Sequence, residues 1–332
     1  MTTVADRLRL LLELGDKVEI DDERLEQVCR HLKKIDLESY KPLDWRDPKH
    51  FPGDDEGMPT VSQFFTIGNS INFRYWWRDN GRLKYAEGRK GGNSERGAFY
   101  MWRSLRVSMK TGVFPLLEAK RLAKIEPEDI RRIFRDDDGR DVMPALEERL
   151  HNWRDLGTKL HEFWGGEFYN LVKETRGSLF DFIQYSRQFR AFDDPLCKMI
   201  MVNAILHQGR GITKFDQPIF PGIDYELLKQ QMRIGILKIS KDLEIKIEHS
   251  ELLASDEAAE LRKAGLKAFL RMMEATSING DILDNIWWSN RKACNTDVPI
   301  CQTKDQESKC RFLDVCSKRT KLRIPLEITR YY

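Results

Sequence analysis

Apolar residues that recur at helical spacing constrain the fold of this chain more than any other feature. Between residues 143 and 163, five of them follow one another at intervals of three or four: Leu146, Leu150, Trp153, Leu156 and Leu160. Side chains at these intervals lie on one face of a helix. Comparable stretches continue from Gly97 to Met273, and no strand pattern is repeated. The sequence therefore predicts an all-α or mainly helical bundle, and its length fits one large core or two closely packed lobes.

Changes in composition divide the 332 residues into three predicted regions. Residues 1–60 are expected to form a helical extension that ends in a linker rich in Pro, Gly and Asp. Residues 61–290 carry the helical periodicity, and residues 291–332 contain four of the six cysteines. No apolar run approaches the roughly 20 residues that cross a bilayer, and the N-terminus lacks a signal-peptide core. We expect a cytoplasmic protein with no membrane partner.

Charge is balanced over the whole chain but not along it. The net charge is +3, which does not by itself indicate a nucleic-acid partner. Between Phe73 and Lys110, however, ten basic residues stand against three acidic ones, with eight aromatic residues among them. Such a mixture is suited to neutralising phosphate and stacking on bases. The alternative is an aromatic core segment whose arginine stems lie along the surface, and the sequence leaves both open.

A loop from Pro218 to Tyr225 brings an aspartate, Asp224, to the first turn of a predicted helix. The ionised form of a carboxylate is favoured at a helix N-terminus, where it is available as a base or as an electrostatic stabiliser. Considered alone, an aspartate in this position is more often only a helix cap.

This loop resembles the catalytic-aspartate region of helix-hairpin-helix DNA glycosylases of the endonuclease III type. Over more of the chain, the sequence resembles the queuosine salvage family of queuosine 5′-phosphate N-glycosylases. The matching positions lie in residues 72–76, 143–149 and 165–166, at Lys198, and in residues 224–227. The resemblance implies a DNA-glycosylase-like, two-lobed helical bundle with Asp224 as its catalytic carboxylate. The glycine-rich hairpin that grips DNA in those glycosylases is missing here, since Phe192–Leu196 stands in its place.

The same resemblance implies a second catalytic residue, Lys198. It falls where some DNA glycosylases carry a Schiff-base lysine and where salvage enzymes direct a lysine at the substrate phosphate. Apolar neighbours such as Met199 favour a neutral nucleophile, whereas Asp193 and Asp194 favour a charged group. We expect the charged, phosphate-binding role, and the alternative is a surface lysine with a buried stem.

The expected substrate-binding residues are Asn72, Phe73, Trp76 and Tyr225. Phe73 and Trp76 are candidates for base stacking because the family resemblance includes them, although large aromatic residues more often belong to a core. His207 follows an apolar helix and is interpreted as a core or capping histidine rather than a proton carrier.

Four cysteines near the C-terminus, Cys294, Cys301, Cys310 and Cys316, follow the pattern C-x6-C-x8-C-x5-C. Clustered cysteines in a cytoplasmic protein indicate metal binding rather than disulfides. The outer spacings resemble the four-cysteine [4Fe–4S] loop that ends endonuclease III-type glycosylases, and the central gap is longer. The four thiolates are therefore predicted to hold a [4Fe–4S] cluster, with tetrahedral zinc as the alternative.

Together these features predict an N-glycosylase that excises a modified base from DNA, such as hypermodified viral DNA, and leaves an abasic site. A base in a duplex must be flipped out before such a bond is reached. One alternative is a small-molecule hydrolase that releases queuine from queuosine 5′-phosphate. A second alternative is a non-catalytic nucleic-acid-binding module with structural zinc.

Overall fold

The computed structural model describes residues 3–5, 8, 12–37, 45–303 and 310–331. Within these ranges thirteen α-helices and six short β-strands follow in chain order: β1 (Val18–Ile20), α1 (Asp22–Leu32), α2 (Met58–Asn69), β2 (Trp76–Asp79), β3 (Arg82–Tyr85), β4 (Glu87–Lys90), β5 (Asn93–Arg96), α3 (Ala98–Thr111), α4 (Ala119–Leu122), α5 (Pro127–Phe134), α6 (Leu146–Phe163), α7 (Phe168–Glu174), α8 (Leu179–Ser186), α9 (Lys198–Gly209), α10 (Tyr225–Ile234), β6 (Leu237–Ile239), α11 (Lys241–Glu248), α12 (Ser255–Thr276) and α13 (Gly280–Asn290). The prediction of a mainly helical fold is confirmed.

Residue contacts group the chain into two compact units. Unit 1 combines residues 1–43 with residues 217–328, and unit 2 combines residues 44–216 with residues 329–332. The boundaries expected near residues 60 and 290 rest on composition and stay a prediction. Part of the expected N-terminal extension, including residues 38–44, lies outside the described residues.

The core of unit 2 is built around α2 and α6. Every residue of α2 from Val61 to Asn69 is buried. The indole of Trp153 on α6 donates a hydrogen bond to the carbonyl of Ile67 at 3.0 Å. A side chain at Gly157 would collide with the backbone of α4, so this glycine permits the close approach of α6. The predicted apolar face of α6 is buried from Leu150 onward, which explains why its helical period is so clear in the sequence.

Two β-hairpins in unit 2 interrupt the helical pattern. Strand β2 pairs with β3 and β4 pairs with β5, both antiparallel. Asn80 and Gly81 have φ values of 47° and 77°, and Gly91 and Gly92 have values of 56° and 79°. Two consecutive positive φ angles are what a tight hairpin turn requires, and Asn-Gly and Gly-Gly adopt them readily.

Unit 1 packs α1, α10, α12 and α13 around buried apolar side chains. Its one described sheet joins β1 to β6 in antiparallel register, with Val18 opposite Ile239. Helix α12 approaches α10 closely at Gly265, where an added Cβ would meet Leu228 and Gln231. None of the helices in the described ranges is long and apolar enough to cross a membrane.

Candidate active site

Asp224 is the N-cap of α10. Its Oδ1 accepts hydrogen bonds from the backbone N–H groups of Glu226 at 2.9 Å and Leu227 at 3.0 Å, and the residue is half-buried. The preceding loop is fixed by buried Phe220 and Ile223. Backbone N–H donors at a helix N-terminus stabilise a carboxylate in its ionised form. The hydrogen bonds by which Asp224 caps the helix therefore also favour the ionised carboxylate that its predicted catalytic role requires.

A buried ion pair lies one turn into α10. The ammonium of Lys229, about 1% exposed, pairs with Glu226 at 2.5 Å and donates to Thr296 Oγ1 at 3.1 Å. Because a buried ammonium is costly unless it is paired and hydrogen-bonded, these two contacts hold Lys229 against the first turn of the helix. Tyr225, the predicted substrate-binding residue of this unit, is half-buried beside Asp224.

Helix α13 adds two further charged groups to this region of unit 1. Asp284 Oδ1 accepts a hydrogen bond from the N–H of Gly222 at 3.2 Å. Arg291 follows the end of the helix, and its guanidinium lies over the indole ring of Trp288. Asp284, Trp288 and Arg291 are spaced by four and three residues. This helical spacing is the signal that the sequence offers, although Asp284 and Arg291 were not among the predicted site residues.

Lys198 opens α9 in unit 2 with its side chain buried. The Nζ atom donates to the carbonyl of Asn72 at 2.8 Å. The carboxylate of Asp194 accepts from the N–H groups of Leu196 at 3.1 Å and Lys198 at 2.8 Å, so it caps the start of the helix. Met199 is fully buried, as the desolvation argument assumed. The structure thus brings the predicted Lys198 and Asn72 together.

The predicted stacking residues Phe73 and Trp76 are 1% and 4% exposed. The guanidinium of Arg149 lies 4.3 Å from the centroid of the Phe73 ring and also donates to the Phe73 carbonyl. Asn72 is held in turn, since its Oδ1 accepts a hydrogen bond from the Tyr75 hydroxyl at 2.9 Å. The role of Phe73 and Trp76 in substrate binding stays a prediction, because both rings are buried as core residues are.

The aromatic and the basic side chains between Phe73 and Lys110 differ in burial. Five aromatic side chains face the interior: Phe73, Tyr75, Trp76, Tyr100 and Trp102. Exposed cations lie on the two hairpins: Arg78, Arg82, Lys84, Arg89 and Arg96. The interpretation as an aromatic core with charged residues at its surface therefore describes most of this stretch.

His207 is a core histidine, as expected. It is fully buried, with Ser62 Oγ 2.9 Å from Nε2 and the carbonyl of Asn203 2.8 Å from Nδ1. Burial lowers the pKa of His207 to about 4, so the ring is neutral at physiological pH. A histidine with both nitrogens engaged in the interior is unsuited to carrying protons to a substrate.

The four C-terminal cysteines are reduced and half-buried in unit 1. Arg233 links two of them, since its Nη1 approaches Cys294 Sγ at 3.6 Å and its carbonyl accepts from Cys316 Sγ at 3.4 Å. Burial raises the pKa of Cys316 to about 11, and the charges of the other three thiols act in the same direction. Across the described ranges, no group of three or more His, Cys, Asp or Glu side chains is arranged to hold a metal ion. The predicted ligand set therefore stays a prediction.

Comparison with known proteins gives a consistent family signal. A family model described as queuosine salvage protein matches residues 52–201, a range that includes Asn72, Phe73, Trp76 and Lys198. The resemblance to the queuosine salvage family is confirmed. A relative from Sphaerobacter thermophilus, named queuosine 5′-phosphate N-glycosylase/hydrolase, is 23% identical over 83% of this chain and 86% of its own length.

Two mammalian relatives carry the same name. The Mus musculus protein is 25% identical over 81% of this chain and 86% of its own length, and the Bos taurus protein is 25% identical over 76% and 78%. Among solved structures, an 8-oxoguanine DNA glycosylase from Pyrobaculum aerophilum matches with a TM-score of 0.44 and 13% identity, covering 88% of this chain and 99% of its own. The prediction of a hydrolase that cleaves N-glycosidic bonds is confirmed as an enzyme class. The names of the three relatives do not support a DNA substrate.

Proposed function

We propose that this protein hydrolyses the N-glycosidic bond of queuosine 5′-phosphate and releases queuine. The observation that carries the proposal is the shared name of three relatives, each aligned over at least three quarters of this chain. The family match over residues 52–201 adds support, because it includes Lys198 and Asn72. Excision of a modified base from DNA was the first prediction from the sequence, and the names of the relatives favour the alternative, a queuosine 5′-phosphate hydrolase.

Asp224 is the proposed catalytic carboxylate. As the bond breaks, positive charge develops on the sugar, and a fixed carboxylate stabilises that charge. Asp224 then accepts a proton from the attacking water, whose oxygen bonds to the anomeric carbon. The glycosidic electron pair leaves with the base, which takes up a proton to become neutral queuine, and Asp224 returns its proton to solvent. The N–H groups of Glu226 and Leu227 hold one carboxylate oxygen in place for this task.

Lys198 is proposed to bind the 5′-phosphate as a cation. Its Nζ is oriented by the carbonyl of Asn72 at 2.8 Å and also lies 3.6 Å from Met199 Sδ. A lysine that attacked the sugar would have to be neutral. The phosphate-binding role needs no covalent intermediate, since Asp224 activates water instead.

We also propose that Cys294, Cys301, Cys310 and Cys316 hold a [4Fe–4S] cluster, with zinc as the alternative. Four thiols lie within twenty-three residues, and two of them, Cys294 and Cys316, contact Arg233, which supports a shared ligand set. Bound metal would crosslink the segments that carry the cysteines and so stabilise unit 1.

The decisive experiment is mass spectrometry of the bases that the purified protein releases. The substrates are queuosine 5′-phosphate, queuosine without its phosphate, and a panel of DNAs with modified bases. We expect queuine from the phosphorylated nucleotide, with much less from the nucleoside. Release from DNA alone would refute the proposal and restore the first sequence prediction, which the exposed cations of the hairpins favour.

A further inference from the structure

One face of α13 follows the loop that leads to the proposed catalytic carboxylate. At the start of this helix, a Cβ on Gly280 would collide with the carbonyl of Ile219 and the Cα of Phe220. One turn later, Asp284 accepts a hydrogen bond from the N–H of Gly222. Successive turns of the helix therefore meet successive residues of the loop, and side chains further along this face lie towards the start of α10.

Arg291 continues the same face beyond the end of α13. Its Cζ lies 3.5 Å from the centroid of the Trp288 ring, and its Nη1 donates to the Trp288 carbonyl at 2.6 Å. Stacking on an indole together with a hydrogen bond fixes the plane of a guanidinium, whose side chain is otherwise flexible. Trp288 is therefore a platform that holds Arg291 at one position.

The groups around Arg291 are acidic. Burial lowers the pKa of its guanidinium, and the charges of Glu226, Asp224, Tyr225 and Asp284 act against that change. Three carboxylates in one region disfavour the ionised form of one another, whereas a fixed cation favours it. Arg291 supplies such a cation within range of the Asp224 charge.

We propose that Arg291 is a positioning residue that keeps the Asp224 carboxylate ionised and oriented at the N-terminus of α10. The inference rests on the proposed role of Asp224 and assigns Arg291 no contact with substrate. It also assigns a role to Trp288, because loss of the indole would remove the ring on which the Arg291 guanidinium stacks.

Other charged groups of unit 1 act on Asp224 as well. On α10 these are Tyr225 and Glu226, with Lys229 paired to Glu226, and on α13 the carboxylate is Asp284. Helix α12 presents Gly265 towards the side chain of Ile223 and adds no charge at that contact. Lys229 is already bound by Glu226, so its charge does not substitute for that of Arg291.

The test compares Arg291→Gln with Arg291→Lys and with Lys292→Gln, a neutralised, exposed neighbour. In Arg291→Gln we expect the acid limb of kcat/KM to move up by about one pH unit, with lower kcat and unchanged KM. Arg291→Lys keeps the charge, so its acid limb should stay near that of the wild type. Lys292→Gln should match the wild type throughout, and Trp288→Leu should move the limb in the same direction as Arg291→Gln, by less.

A second measurement needs no substrate. The titration of Asp224 is followed by ¹³C NMR of carboxyl-labelled protein, with Asp224→Asn used to assign its signal. A midpoint that rises in Arg291→Gln supports the inference even if no queuine is released, which separates it from the proposed function. An unchanged midpoint, or a higher KM with an unchanged acid limb, would overturn it. If Arg291→Gln does not fold, the comparison of Trp288→Leu with Arg291→Lys gives the same decision.

Discussion

Replacing Asp224 by Asn separates its two tasks, because Asn keeps the cap and removes the charge. An Asn side chain still presents an oxygen to the N–H groups of Glu226 and Leu227, and Asn ranks with Asp as an N-cap. The lost charge–dipole interaction is worth about 0.3–1 kcal/mol. The lost attraction to Arg291 adds to this loss, and relief of the repulsion from Glu226 and Asp284 offsets it. The free energy of unfolding should therefore change by less than about 1 kcal/mol.

Turnover should respond very differently. Loss of one electrostatic stabiliser typically costs about 10²–10³ in kcat, and loss of a general base about 10²–10⁴. Since Asp224 is assigned both tasks, Asp224→Asn should reduce queuine release by at least about a thousandfold. Asp224→Ala should lose the same activity and roughly 1 kcal/mol more stability, because it also removes the cap.

The assay pairs urea denaturation with mass spectrometry of released queuine. Asp21→Asn is the matched control, since Asp21 caps α1 in the same unit by accepting from Arg24 N at 2.9 Å. This control should keep full activity. If folded Asp224→Asn retained activity within tenfold of the wild type, Asp224 would be a helix cap and nothing more.

Three further predictions follow from other residues. Lys198→Ala should raise KM for queuosine 5′-phosphate, Lys198→Arg should recover part of the loss, and borohydride should trap no adduct; a trapped adduct on Lys198 would instead establish a Schiff-base mechanism. Anaerobically purified protein should be brown and contain iron, and Cys301→Ser should bleach it; colourless protein with one zinc would exclude the cluster. Burial lowers the pKa of His207 to about 4. Between that pH and the ordinary pKa of histidine, His207 is therefore protonated in the unfolded state and neutral in the folded state. The contribution of neutral His207 to the free energy of unfolding is fully present above about pH 6.5. It falls by up to about 3 kcal/mol as the pH is lowered to 4. In His207→Gln, urea denaturation should show a smaller loss over this window, and an equal loss would refute the assignment.

Elements that depend on local sequence were predictable here. Helix α6 buries its apolar face along nearly its whole length, so its apolar residues recur in the sequence at intervals of three and four. The Pro-Gly loop likewise indicated that Asp224 begins a helix, as it does. By contrast, strands β2–β5 are four residues each and bury only Trp76 and Gly88 among them, so they carry little apolar pattern. The local sequence signal for these hairpins is in their turns, Asn80-Gly81 and Gly91-Gly92.

Residues that act through long-range packing were not predictable. Asp284 and Arg291 are separated from Asp224 by sixty residues or more, and only the packing of α13 along the loop brings them to it. Phe73 and Trp76 illustrate the opposite problem, because aromatic residues beside arginines suit a base-binding surface and a core equally well. Burial separates these cases, and burial is a property of the fold.

The pairing of β1 with β6 has a consequence for the order in which the protein is made. Val18 leaves the ribosome early, whereas its partner Ile239 is added more than two hundred residues later. At about 5–20 residues per second, the first strand waits roughly 10–45 seconds for its partner. Residues 44–216, the bulk of unit 2, are complete before that time. The unit that carries Asp224 therefore finishes last, and during synthesis its N-terminal strand is an open edge for chaperones or other chains to bind.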